Sequence, residues 1–376
     1  MLSYWEKESF VNYDHIIIGS GIVGLSTAIS IKEKKPDAEI LVLERGILPT
    51  GASTKNAGFA CFGSLTELLE DIKVLGETDT LALVNERWEG LKKLRGRVGD
   101  DNMDYLSYGG YELMRDAELP YLKAIDQVNE MLLPLFKQPV FSIDDQKIKS
   151  FGFNSDEIKS IVVNPFEGQI HTGKMMKSLL ALAYKLNIKV LTGTEVLSFE
   201  DDGTEVSVIA KNMVTNSDIT FKANKVAVCT NAFTNKLVPD IDINPGRGIV
   251  LVTKPLSKLP FQGVFHIDKG YYYFRNEGSR VIFGGGRNID FEGETTTKFE
   301  INERIIAELK KQLKDVILPS TPFEVDHTWA GIMAFGANKQ PIYKKHSANV
   351  HLGVRLGGMG VAIGSRMGEK LSEKML

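Results

Sequence analysis

Gly19-Ser20-Gly21-Ile22-Val23-Gly24 stands between an apolar run, His15-Ile-Ile-Ile-Gly19, and a segment, Ile22 to Lys34, that reads as a helix. Glu44 lies 20 residues beyond Gly24, at the end of a second apolar run, Glu39-Ile-Leu-Val-Leu-Glu44. These residue types at this spacing make a phosphate cradle. The first glycine permits a tight turn, the second lets a pyrophosphate approach the backbone, and the third lets helix and strand pack closely. The acid accepts hydrogen bonds from a ribose hydroxyl. The helix N-terminus adds free N–H groups and a partial positive charge. A bare Gly-x-Gly-x-x-Gly also occurs in purely structural turns, but here strand, helix, spacing and acid agree. Glu44 disfavours a 2′-phosphate, so FAD or NAD is preferred over NADP, a preference that Arg45 softens.

Two further glycine-rich stretches decide between those cofactors. Gly51-Ala-Ser-Thr-Lys-Asn-Ala-Gly58 is small and polar, which lets backbone amides approach a ligand; its bland reading is a surface loop. Gly357-Gly358-Met359-Gly360-Val361 opens a helix in which Ile363, Met367 and Leu371 recur every fourth residue; its bland reading is a tight strand-to-helix turn. A plain NAD dehydrogenase needs neither. On the substrate side, period-two alternation puts Tyr271, Tyr273 and Arg275 on one face of a strand. Arg275 either clamps a carboxylate bidentately or forms an ordinary ion pair at a strand end. Arg247 is a weaker candidate of the same kind. Trp329 and Phe335 either wall a pocket or pack in the core. Cys61 reads as an inert buried thiol.

The elements that must position these residues begin with a β-α-β unit over residues 15–44, about the size of a nucleotide-binding half. Helical spacing recurs from Asp79 to Val98 and from Asp116 to Lys137, the latter broken near Pro120 and Pro134, with a strand-like Tyr105 to Met114 between them. Thr172 reads as the cap of a helix through Leu186, and Ile188 to Thr192 as a strand. A meander follows over Glu195 to Phe199, Glu205 to Ala210 and Ile219 to Phe221, and then a buried strand at Lys225 to Thr230. Strands at Gly248 to Thr253, Gly270 to Arg275 and Arg280 to Gly284, and a helix at Asn302 to Lys314, precede the final strand, glycine cluster and helix. The chain of 376 residues carries 45 Lys and Arg against 48 Asp and Glu, a net charge of −3. That balance argues against nucleic-acid binding through phosphate neutralisation. Two cysteines and six scattered histidines predict no metal site. Residues 1–14 do not read as a secretory signal, and the apolar stretch Ile16 to Ile31 is too short to span a bilayer, so a cytoplasmic protein without a transmembrane segment is expected.

With these stretches in place, the chain resembles the D-amino-acid oxidase superfamily of FAD-dependent oxidoreductases, which includes glycine oxidase, sarcosine oxidase and gamma-glutamylputrescine oxidase. The carriers are Asp14 to Glu44, Gly51 to Gly58 and Gly358 to Val361. Ser3-Tyr4-Trp5-Glu6, Tyr273-Phe274-Arg275 and Val281 to Gly286 resemble the gamma-glutamylputrescine oxidase branch. The resemblance implies an α/β fold. A Rossmann-like FAD-binding domain with a three-layer β-β-α arrangement would take residues 1–78, 155–238 and 325–376. A second α+β substrate domain on a mixed β-sheet would take 79–154 and 239–324. It implies noncovalent, extended FAD, with pyrophosphate at Gly19, Gly21, Ile22, Val23 and Gly24 and adenosine near Glu44 and Arg45. Ala52, Ser53, Asn56, Ala57 and Gly58 would follow the ribityl chain and flavin. Val196 would meet the adenine, and Thr230 and Asn231 would border the ADP half. The last helix would aim Gly358, Met359, Gly360 and Val361 at the flavin pyrimidine edge.

The implied reaction oxidises a C–N bond of a small amine or amino acid by hydride transfer to flavin N5, giving an imine that hydrolyses. Oxygen or another acceptor takes the electrons. Arg275, Tyr273 and Trp329 are the substrate-side candidates. A 2-hydroxy acid dehydrogenase and a catalytically degenerate FAD-binding partner protein are the alternatives. Three positions depart from the family pattern. Met333 stands in Trp329-Ala-Gly331-Ile-Met333 where amino-acid oxidases often carry the arginine that grips the substrate carboxylate. Met359 replaces the histidine of sarcosine-oxidase-like enzymes, and Lys55 replaces a loop arginine.

Overall fold

Strand Asn12–Ile18 sits inside the first sheet because its apolar end, Ile16 to Ile18, is buried on both faces, as a parallel strand between layers requires. It pairs in parallel with Ile40–Leu43 and with Ile219–Val228, Ile18 lying opposite both Leu43 and Val228. In the computed structural model, which describes residues 2–212 and 217–376, this sheet has eight strands. Lys189–Leu191 closes one side, Val350–Val354 and Ile342–Lys345 the other, and Ile219–Val228 continues into a meander with Val206–Ala210 and Val196–Asp201. The expected meander and the expected strand at Lys225 to Thr230 therefore share one continuous strand.

Helix Ile22–Lys34 is buried from Ile22 to Lys32, because it lies between the sheet and two other helices, Thr172–Lys185 and Gly360–Met375. The contact with Gly360–Met375 is close enough to require small residues. A Cβ on Gly364 would come 2.7 Å from Ile22, and one on Gly368 would come 2.6 Å from Ser26. The hydroxyls of Ser26 and Ser365 meet at 3.2 Å. Position 364 faces 22 and 368 faces 26, so the two helices run parallel and their N-termini open on the same side.

The second sheet is mixed. Its order is Val325–Phe335, Asn244–Thr253, Arg280–Gly285, Tyr272–Glu277, Val264–Ile267, Gly110–Met114, Ser160–Asn164 and Ser142–Ile143. Only the pairing of Val264–Ile267 with Gly110–Met114 is parallel among these neighbours. One face packs on helix Glu303–Gln312 and the following turn Leu313–Ile317 through Ile305, Leu309 and Val316.

Three placements correct the expected domain bounds. Val325–Phe335 and Ser160–Asn164 belong to the second sheet, not the first, because their backbones pair with Asn244–Thr253 and Gly110–Met114. Helix Glu77–Val98 packs Leu91, Leu94 and Val98 into the core around Ile22–Lys34, and so lies against the first sheet's helices. Among the described residues, no helix is long and apolar enough to cross a membrane.

Candidate active site

A cavity of about 720 Å³ opens where the two sheets meet, within the range that ligand pockets occupy. All three glycine-rich stretches line it. From the first come Gly19, Gly21, Ile22 and Val23, with Glu44 and Arg45 at the end of Ile40–Leu43; from the second Ala52, Ser53, Asn56 and Ala57; from the third Gly358, Met359, Gly360 and Val361. Val196, Thr230 and Asn231 line it as well. Of the expected cofactor residues, Gly24 and Gly58 stand behind the wall. A Cβ on Gly24 would lie 1.9 Å from the carbonyl oxygen of Gly19, and one on Gly58, where φ is +80°, would lie 2.3 Å from that of Ile170. Their part is close backbone packing.

Glu44 is buried and fixed. Its Oε2 accepts from the Ser20 amide at 3.1 Å and the Ser20 hydroxyl at 2.8 Å, and its Oε1 accepts from the Gly46 amide at 2.9 Å. Arg45 beside it stacks 3.6 Å over the Phe233 ring. The Gly51 to Gly58 loop is locked by Asn56. Asn56 Nδ2 donates to the carbonyls of Ala52 and Ser53, and its Oδ1 accepts from the Gly58 amide at 2.8 Å and the Thr172 hydroxyl at 3.0 Å.

The substrate-side candidates separate. Tyr273 lines the cavity, and burial pushes its phenol up to about 12, so at neutral pH it holds its proton and can donate. Arg275 shares that strand face but is spent on the protein. Its Nε donates to the Ala57 carbonyl, Nη2 to the Ile170 carbonyl at 3.3 Å, and Nη1 to the Asn276 carbonyl at 2.8 Å and to Glu277 at 2.7 Å. Trp329, on strand Val325–Phe335, also reaches the loop, its indole N–H donating to the Lys55 carbonyl at 2.9 Å. Neither lines the cavity. Arg275 and Trp329 instead hydrogen-bond the Gly51 to Gly58 loop from the second sheet. Arg247 is bound bidentately to buried Glu294 at 2.7 and 2.8 Å. Phe335 and Met333 do wall the cavity, with Tyr271.

Several lining residues carry no expectation from sequence. Helix Leu65–Leu75 brings Glu67, Glu70 and Asp71 to the cavity. Its start was marked by Ser64-Leu-Thr-Glu67, a capping box present in the structure. Asp71 is paired with buried Arg87 at 3.3 Å and with Lys339 at 3.0 Å. His266 lies 3.8 Å from Glu67 and 3.5 Å from Glu167. Burial pushes its imidazole down, but the carboxylates of Glu167, Glu67 and Glu112 outweigh that and raise it to about 9. Cys61 Sγ, Glu167 and His266 lie within 4.8 Å of one another. Burial raises the Cys61 thiol well above its ordinary range, so thiol and imidazole both keep their protons at neutral pH.

The site fits a flavin dinucleotide on its own chemistry. Neither helix N-terminus at the cavity, at Gly21 or at Met359, has a side-chain cap from its N-cap residue. The Ile22 amide donates to the Ser53 hydroxyl at 3.0 Å, and the remaining first-turn amides of the two helices suit a diphosphate and a second anionic group. Gly21 leaves room that a Cβ, 2.9 Å from Ser53 Oγ, would fill, and Gly357 and Gly358 hold φ of +56° and +85°.

Comparison with known proteins agrees. The family described as FAD dependent oxidoreductase matches residues 14–374. The probable oxidoreductase OrdL of Haemophilus influenzae is 22% identical over 378 residues, covering 96% of this chain and 83% of that protein. L-proline dehydrogenase from P. horikoshii superposes with a TM-score of 0.76 at 17% identity, over 96% of this chain and 93% of that one. Glycine oxidase from Geobacillus kaustophilus gives 0.75 at 16% identity, over 97% and 95%. At these identities the likeness of the solved structures is one of fold.

Proposed function

We propose, for a chain that belongs to the family of FAD dependent oxidoreductases, that it oxidises a C–N bond of a small amine or amino acid in the cavity between its two sheets. The observation that carries this reading is the meeting of three glycine-rich stretches, distant in sequence, on one cavity whose far wall is the aromatic face of the second sheet. When bound, FAD supplies a two-electron acceptor for the hydride of the substrate.

The chain's own residues bind and orient. The turn from Gly19 to Gly24 and the N-terminus of Ile22–Lys34 hold the pyrophosphate, and Glu44 accepts from the ribose. Val196, Thr230 and Asn231 border the adenosine half. The N-terminus of Gly360–Met375 favours negative charge beside it by about 0.3–1 kcal/mol, more when partly buried. Arg275 and Trp329 hold the Gly51 to Gly58 loop against the cavity. Tyr273, as a protonated phenol, donates to the substrate, while Phe59, Phe335 and Met333 keep water out. The two cysteines near the cavity, Cys61 and Cys229, have thiols raised by burial, which supports noncovalent attachment. The named activities of the two superposed relatives, on proline and on glycine, support an amino compound as substrate.

The test is an anaerobic screen of the purified flavoprotein with amines, amino acids and 2-hydroxy acids. Bleaching of the flavin by amino compounds is expected. Bleaching by 2-hydroxy acids alone would replace this reading with a hydroxy acid dehydrogenase, and no bleaching by any of them would leave a binding protein.

A further inference from the structure

The substrate end of the cavity lacks an arginine at 333, and the two arginines that alternation or neighbouring glycines suggested are consumed elsewhere, Arg275 by carbonyls and Arg247 by Glu294. Arg287 is not. It lines the cavity beside Tyr271, Met333 and Phe335, and among the described residues no carboxylate lies within ion-pair distance of it. Glu294, the carboxylate whose charge acts on it, is already held by Arg247 and by Asn302. The guanidinium carbon sits 4.5 Å from the Phe335 ring centre and 5.1 Å from that of Phe291. Its Nε is buried without a hydrogen-bond partner.

The fold has made room for this side chain. A Cβ on Gly246 would lie 3.0 Å from Arg287 Nε and 2.4 Å from the Phe335 ring. Gly285 and Gly286, with φ of +120° and +75°, turn the chain into the short helix Arg287–Ile289 that carries it. The two rings flank the guanidinium, and the side chain lines the cavity. A half-buried cation in that state is unfavourable until an anion meets it. The other cavity cations do not match. Lys339, Lys269 and Lys236 are paired with Asp71, Glu70 and Glu195, and protonated His266 lies between Glu67 and Glu167. Arg45 lies over Phe233 at the Glu44 side, and Lys55 belongs to the loop, its ammonium over Phe299.

We propose that Arg287 is the residue that recognises a substrate carboxylate, so that the substrate is an amino acid or other amino-carboxylate rather than a plain amine. The proposal rests on the C–N oxidation read above and moves the anion-holding fork from strand Val325–Phe335 to the turn after Arg280–Gly285. A planar, always charged fork matches a carboxylate bidentately, and a lysine there would keep the charge but lose the paired geometry. Tyr273 supplies a second donor.

The test uses the flavin-loaded protein and two probes. Benzoate binding is followed by its perturbation of the visible flavin spectrum, and flavin reduction is compared for proline and pyrrolidine, which differ by the carboxylate. Wild type is expected to bind benzoate and to prefer proline. Arg287→Gln should weaken benzoate by about 10- to 100-fold and lower the proline-to-pyrrolidine preference by a similar factor, with Arg287→Lys between the two. Flavin content reports that each variant is folded. Benzoate binding unchanged in Arg287→Gln, or a wild type that reduces as fast with pyrrolidine as with proline, would overturn the proposal. Benzoate binding that depends on Arg287 in a protein no amino compound reduces would keep the carboxylate site and overturn the amine chemistry instead.

Discussion

Replacing Arg275 distinguishes a strut from a substrate clamp. Arg275→Met keeps most of the aliphatic stem and removes the fork. The Asn276 carbonyl keeps a donor, because Gln169 Nε2 also reaches it at 3.0 Å. The Ala57 and Ile170 carbonyls lose theirs. A buried acceptor left unpaired costs about 1–3 kcal/mol, and the half-exposed pair with Glu277 adds about 0–1 kcal/mol. The variant should therefore be less stable by about 2–7 kcal/mol, read by urea unfolding of the flavin-loaded protein. Ala57 belongs to the loop that lines the cavity, so FAD affinity should fall by about tenfold or more in the same variant. Arg275→Lys, which reaches one carbonyl but not both, should recover part of each loss. Near-native stability and FAD binding in Arg275→Met, with a raised KM confined to carboxylate substrates, would refute the strut and restore the clamp.

Other expectations follow from single contacts. His266, raised to about 9 from an ordinary 6.5, contributes stability that is fully present below pH 6.5 and lost as pH rises through 9. Glu112, raised by burial to about 7 although the His266 charge holds it down, adds a loss near that pH, so the melting temperature measured between pH 7.5 and 9.5 should fall in wild type and fall less steeply in His266→Gln. Gly24→Ala places a methyl 1.9 Å from the Gly19 carbonyl oxygen; helix Ile22–Lys34 must shift, and the protein should purify without flavin. Arg87→Met strands Asp71 with Lys339 alone and should cost about 3–5 kcal/mol by urea unfolding, whereas Arg87→Met combined with Asp71→Leu should recover much of it.

The cofactor half of the site was legible because backbone constraints write themselves into residue types. Gly19 needs a φ of +108°, Gly24 needs no Cβ, and Glu44 must sit where strand Ile40–Leu43 ends. The substrate half was legible only as faces. Alternation correctly put Tyr273 and Arg275 on one side of a strand, but it carries no information about what lies opposite, and the carbonyls of Ala57 and Ile170 come from remote parts of the chain. Sheet membership failed for the same reason, since Val325–Phe335 alternates alike whichever sheet it joins. Helix Leu65–Leu75 was readable in its capping box and was missed. Arg287 had no local signal beyond the glycines before it; its lack of a partner is a property of the folded molecule.

The account turns on one extended cofactor bridging the glycine turns, and competition binding to flavin-free protein tests that most directly. FAD should bind at one per chain, ADP should compete with it through the Gly19 to Glu44 half, and FMN, which lacks the adenosine, should bind much more weakly. Equal binding of FMN and FAD, or FAD uptake that ADP does not disturb, would contradict it.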